Sequence, residues 1–120
     1  MKIAIASMGT NLNSDISPLL GRSDDFIIMD LKNGEIKDIN IIENTAKNET
    51  GAGSTAAQIL VDHEVDILIT GKLGPVAFHI LKNAGIKVYK IIPGSVQKNL
   101  KRFTEGKLKE ITSLSSGFPT

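Results

Sequence analysis

The sequence predicts an α/β fold: a five-stranded mixed sheet with helices on both faces, in three layers. Three observations carry that reading. Residues 2–8, 25–31 and 35–43 read as strands, the last two joined by the hairpin signal Lys32-Asn33-Gly34. Residues 66–92 read strand, helix, strand, which requires a parallel pair joined by a right-handed crossover. Three later segments place apolar residues at helical spacing behind capping signals.

Each element follows from its own residues. In residues 2–8, Ile3 and Ile5 fall on one face and Ala4 and Ala6 on the other, where small side chains let a helix pack closely. Residues 9–17 are polar and read as a loop closed by Pro18. Residues 25–31 form a second strand, and residues 35–43 return from the Asn-Gly turn as a strand whose Lys37, Asp38 and Asn40 suit a sheet edge. After the polar loop 45–53, Ser54 can N-cap a helix running to His63. Residues 66–70 are a short apolar strand. Gly74-Pro75 opens a helix with its stripe at Ala77, Ile80, Leu81 and Ala84, closed by Gly85. Residues 87–92 make the last strand, and Ser95 caps a third helix bearing Val96, Leu100 and Phe103 that ends near Gly106. The order is therefore three strands, then helix, strand, helix, strand, helix, an architecture resembling the ribonuclease H-like fold. Residues 1–110 make one domain, and 111–120, without periodicity, read as a loose tail.

Composition narrows the chemistry. The chain has 120 residues, 41% hydrophobic and 22% charged, within the range of soluble globular domains. It has no Cys, which removes disulfides, thiolate ligands and a cysteine nucleophile. No apolar run exceeds four residues, so neither a membrane span nor a secretory signal is read, and the expected location is the cytoplasm. A net charge of +1 conceals an uneven distribution: residues 1–71 carry five Lys/Arg against eleven Asp/Glu, and residues 72–120 carry nine against two.

Several activities fail for want of residues. Two-metal phosphodiester hydrolysis needs carboxylates converging on the sheet, but the first strand offers Ala4, Ala6 and Ser7 and the fourth ends in Thr70. His63 and His79 belong to separate helices with no ligand spacing, so no metal site is read. A serine nucleophile elbow is absent. No catalytic residue is assigned, and the chain is not read as an enzyme. Lys98, Lys101 and Arg102 lie opposite the apolar stripe of the third helix, with Lys107 and Lys109 beyond it; nucleic-acid binders add stacking aromatics that this chain hardly has, so nucleic acid is not expected as a partner.

The glycine loops are the more informative feature. Gly51-Ala52-Gly53-Ser54 and Gly71-Lys72-Leu73-Gly74-Pro75 both place backbone N–H groups at helix N-termini, where anions are favoured. Glycines also serve turns and caps without any ligand. If the first and fourth strands are neighbours, the loops after them (Ser7 to Asn13 and Gly71 to Pro75) share one crevice, with Lys72 at its rim and Arg22, beside Gly21, aimed into it. Neither loop has a nucleotide-binding pattern, and no nucleotide is expected.

The opening KIAIAS, the Gly21-Arg22 pair before FIIMD, the NGEI hairpin, GAGSTAAQIL, and VDILITGKLGPVAFHILKNAGIKVY together resemble the dinitrogenase iron–molybdenum cofactor biosynthesis family over residues 1–110. That resemblance implies a ribonuclease H-like fold and the role of an accessory factor that carries or stores metal–sulfide clusters for donor and acceptor proteins. The family typically reads His-Phe-Gly-Arg where this chain has Leu19-Leu20-Gly21-Arg22, so the histidine associated with cluster contact is absent. A preassembled iron- or molybdenum-sulfide cluster would then be held non-covalently, around Ser7, Gly9, Arg22, Gly51, Gly53, Gly71, Lys72 and Gly74. The alternative is a small-anion or phosphometabolite-binding module that lost the cluster role, and a third reading uses the basic helix to bind protein or RNA.

Overall fold

The computed structural model describes residues 1–114. Six strands and three helices follow one another as β1 (Lys2–Ser7), β2 (Asp25–Lys32), β3 (Glu35–Glu43), α1 (Ala52–Asp62), β4 (Ile67–Thr70), α2 (Pro75–Asn83), β5 (Lys87–Lys90), α3 (Val96–Thr104) and β6 (Glu110–Ile111). All six strands join one mixed sheet in the order β3-β2-β1-β4-β5-β6. β2 runs antiparallel to both β1 and β3, whereas β1, β4 and β5 are parallel.

The expectation of five strands is corrected by β6, which pairs antiparallel with β5 through Val88–Ile111 and Tyr89–Glu110. Two residues are too few to show alternation. What holds them is burial, since Ile111 is fully buried in the core. The expected tail over 111–120 therefore starts inside a strand, and residues 115–120 lie outside the described residues.

Alternation along the strands sorts the core into two layers. Ala4, Ala6, Phe26, Ile28, Leu68 and Val88 share one buried cluster with Ala56, Ala57 and Leu60 of α1 and Ala77, Phe78 and Leu81 of α2. Ile3, Ile5, Ile27, Met29, Ile67 and Ile69 share the other with Val96 and Leu100 of α3. The alanines of β1 thus lie under α1 and α2, where small side chains permit close approach. Each layer removes a near-complete set of large side chains from water, at about 25 cal/mol per Å² of apolar area.

The edge strand β3 is irregular. Its register with β2 shifts between Ile28 and Asp30, where Asp38 takes a left-handed φ of 55° and Asn40 Nδ2 donates to the Asp38 carbonyl. Such a bulge interrupts the row of free backbone groups that an edge otherwise presents.

Capping follows local chemistry. Gly74 and Pro75 open α2, Ser95 Oγ accepts from Lys98 N at the start of α3, and Gly85 follows α2 with φ 78°. The start of α1 differs from expectation: Gly51, at φ 75°, is its N-cap, and Ser54 lies inside the first turn. A left-handed glycine turned the chain into the helix before the serine was reached.

One buried polar side chain ties the segment after β5 to α3. Asn99 Nδ2 donates to the carbonyls of Ile92 and Ser95, and its Oδ1 accepts from Ile92 N. Asn99→Ala is expected to lower stability by about 2 kcal/mol, because three hydrogen bonds to part-buried backbone groups are lost; urea unfolding monitored by circular dichroism measures this, and a loss below ~0.5 kcal/mol would contradict it.

Candidate anion-binding cleft at the helix N-termini

The sheet order reverses between β1 and β4, the position at which open α/β sheets leave a crevice at their carboxyl ends. What fills the gap is decided by the segment after β1. Residues 8–16 fold back on themselves, with Met8 N donating to Asp15 O and Ser17 N to Ala6 O. They then attach to the α3 layer, where Val96 N donates to Ser14 O and Gln97 N to Leu12 O. The chain next crosses to β4: Lys72 N donates to Pro18 O at 2.8 Å, and Leu20 N donates to Lys72 O at 2.9 Å. A short 3-10 turn, Leu20–Arg22, follows, with Leu20 fully buried.

This crossing makes one wall of a cleft of about 470 Å³. Leu19, Gly21 and Arg22 form that wall, Gly51 to Ser54 at the start of α1 form the second, and Lys72 to Ala77 leading into α2 form the third. The backbones meet closely. A Cβ at Gly21 would lie 2.5 Å from Gly53 N, and one at Gly53 would lie 3.8 Å from the Ala77 Cβ.

Of the residues expected around the crevice, Arg22, Gly51, Gly53, Lys72 and Gly74 line this cleft. Ser7, Gly9 and Gly71 are not among its lining residues. Ser7 is fully buried, and its Oγ accepts from Gly9 N and donates to Gly9 O. The loop that was expected to join the crevice goes instead to α3, because its backbone bonds are satisfied there. Gly71 packs under the crossing segment, where an added Cβ would stand 2.6 Å from Ser17 O. Leu19, Val76 and Ala77 also line the cleft, as apolar side chains that carry no charge or glycine signal in the sequence.

The electrostatics are one-sided. Among the described residues no carboxylate lines the cleft. The N–H groups of Ala52 and Gly53 in α1, and of Val76 and Ala77 in α2, occupy first-turn positions that have no intrahelical acceptor. Neither helix has a side-chain cap. Both positive dipole ends therefore face the same space. Lys72 is exposed and forms no ion pair among the described residues. Arg22 behaves differently: its Nη1 donates to Lys47 O and, at 3.2 Å, to Glu49 O, so the guanidinium holds the loop leading into α1. Lys47 Nζ in turn lies 2.7 Å from Asp24 Oδ1, a contact that raises the lysine pKa. Burial, followed by the charges of Asp24 and Glu43, raises the pKa of Asp25 above its ordinary value.

Around the charge the lining is apolar. Leu19 and Val76 are exposed at 44% and 61%, while Ala52, Leu73 and Ala77 are buried beneath. Among the described residues no three His, Asp or Glu side chains gather in a way that could hold a metal ion. His79 is exposed on α2, and His63 is the C-cap of α1. The cleft thus offers N–H donors, a lysine and a soft apolar wall, with no His, Cys, Asp or Glu side chain lining it among the described residues.

Residues 1–106 match the family model described as dinitrogenase iron-molybdenum cofactor. An uncharacterized protein of Methanocaldococcus jannaschii is 41% identical over 99 residues, covering 82% of this chain and 84% of that protein. The apo form of the orange protein from Desulfovibrio gigas superposes with a TM-score of 0.85 at 30% identity, over 93% of each chain. A candidate NifB protein from Thermotoga superposes with a TM-score of 0.82 at 37% identity, over 99% of this chain and 97% of its own.

Proposed function

Because the chain belongs to the dinitrogenase iron–molybdenum cofactor family, we propose that it is a non-enzymatic accessory protein that holds a preassembled, anionic metal–sulfide cluster in the cleft between the N-termini of α1 and α2. The observation that carries this reading is the composition of the cleft: two uncapped helix N-termini and Lys72 converge on a space with no carboxylate. Sulfide is a soft, bulky anion, and backbone N–H groups with an apolar wall suit it better than they suit a hard cation. Coordination by the protein does not fit, since there is no Cys and Leu19 stands on the wall where the family typically has His. The cluster is cargo here, received from a donor protein and passed to an acceptor. The antiparallel β2 between β1 and β3, beside the parallel β1-β4-β5 run, supports reading the fold as ribonuclease H-like. No helix among the described residues is long and apolar enough to cross a membrane. We read the protein as cytoplasmic.

Anaerobic addition of a molybdenum- or iron-sulfide cluster, followed by gel filtration and elemental analysis, tests the proposal. Metal is expected to co-elute with the protein, and Leu19→His is expected to retain several-fold more by adding an imidazole ligand to the wall. Metal that elutes entirely apart from both proteins removes the reading.

A further inference from the structure

A second surface lies across the sheet from the cleft. Val96, Asn99 and Leu100 of α3 are buried against the sheet, which leaves Lys98 and Lys101 exposed on the outer face with Arg102 half-buried beside them. Gly106, at φ 72°, then turns the chain back, and Lys107 N donates to Arg102 O at 2.8 Å. The returning chain closes a concavity of about 420 Å³ lined by Lys98, Lys101, Arg102, Glu105 and Lys107. Four cations therefore share one groove with one carboxylate, and Glu105 reaches Lys107 only at 3.8 Å.

Helix stability accounts for part of this arrangement. Lys101 and Arg102 occupy the last turn, where cations complement the helix dipole. Lys98 does not; it lies in the first turn, where a positive charge is disfavoured. Its side chain joins the groove all the same, and Lys107 is brought there by the turn beyond the helix. Mutual repulsion among these cations is relieved by an anionic partner. The aromatic residues nearest the helix point to what kind. Phe103 and Tyr89 pack edge to face at 5.1 Å, partly buried, and neither ring lines the groove, which therefore offers no platform for a base. Carboxylates spaced along a protein segment match the spaced cations and need no ring to stack on.

We infer that the outer face of α3, with the Gly106 turn, is a docking surface for an acidic protein segment. It lies on the opposite side of the sheet from α1 and α2, so a partner seated there leaves the cleft open. The inference does not depend on what the cleft holds.

Titration of the isotope-labelled full chain with an oligoglutamate peptide, and with an oligouridine of matched charge, tests it by NMR. The peptide is expected to shift amides between residues 95 and 108. The double reversal Lys98→Glu/Lys101→Glu is expected to weaken its binding about tenfold at low salt, whereas Lys82→Glu/Lys87→Glu, with the same change in net charge outside the groove, has a several-fold smaller effect. Lys98→Gln/Lys101→Gln gives a milder pair should the reversal perturb folding. Absence of shifts, shifts centred on residues 51–54 and 72–77, equal weakening by the control pair, or tighter binding of the oligouridine overturns the inference.

Discussion

Adding one methyl group at Gly71 is expected to lower stability by about 3 kcal/mol, the upper end of what overpacking a rigid core costs. Gly71 follows β4 directly, and the chain segment Ser17–Pro18 lies across it. A Cβ there would meet Ser17 O at 2.6 Å and would press harder still on the Pro18 carbonyl. Backbone cannot swing aside as a lysine tip could. Relief requires the crossing segment to lift, which strains the hydrogen bonds from Lys72 N to Pro18 O and from Leu20 N to Lys72 O. Leu19 rides on that segment, so Gly71→Ala should also deform the wall of the cleft. Gly74→Ala is the matched control, because a Cβ there meets nothing within 4 Å. Urea unfolding of the two variants separates contact from glycine flexibility, and similar midpoints for both would refute the argument.

Lys72→Glu is expected to reduce retention of an anionic cluster by ~10- to 100-fold while leaving stability within about 0.5 kcal/mol of wild type. The two effects separate because residue 72 contributes its backbone to the crossing and its side chain to the cleft. Its N–H and carbonyl bind Pro18 and Leu20 whatever the side chain, and the ammonium has no ion-pair partner among the described residues to lose. Reversing the charge puts a carboxylate into a cleft that has none. Retention should respond to ionic strength as well, since an exposed cation is screened within a Debye length of about 8 Å at physiological salt. Elemental analysis after anaerobic gel filtration reads the first effect and thermal unfolding the second. Equal metal retention by the two proteins would mean that Lys72 does not hold the anion.

Periodicity and turn chemistry made most of the scaffold legible. The Asn33-Gly34 hairpin, the parallel pair across 66–92, the Gly74-Pro75 opening of α2 and the Ser95 cap all stand where local sequence placed them. Elements shorter than one period left no such trace, which is why β6 and the Leu20–Arg22 turn were missed. The site divides along the same line. Gly51, Gly53, Lys72 and Gly74 could be read because helix starts are local events, and these four line one cleft, whereas Gly71 does not. The placing of Ser7 and Gly9 in that cleft required knowing which way a polar loop folds, and that was decided by distant bonds from Val96 and Gln97. Arg22 lines the cleft, but its guanidinium holds the loop before α1, a role the sequence hides because its acceptors on Lys47 and Glu49 are far away in sequence.

The close approach of Gly21 to Gly53 separates two properties of the cleft that most binding sites combine. Main chain meets main chain there, so the aperture is set by atoms that every residue possesses. The side chains that give the cleft its character, Leu19, Lys72 and Val76, all project from an exposed rim. Their replacement can alter preference for a guest without altering the mould that receives it. The frame is therefore a suitable starting point for directed redesign: three positions could be randomised together to seek new guests, with Gly21 and Gly53 kept fixed as the gauge of the opening and Gly71 as the support of its wall.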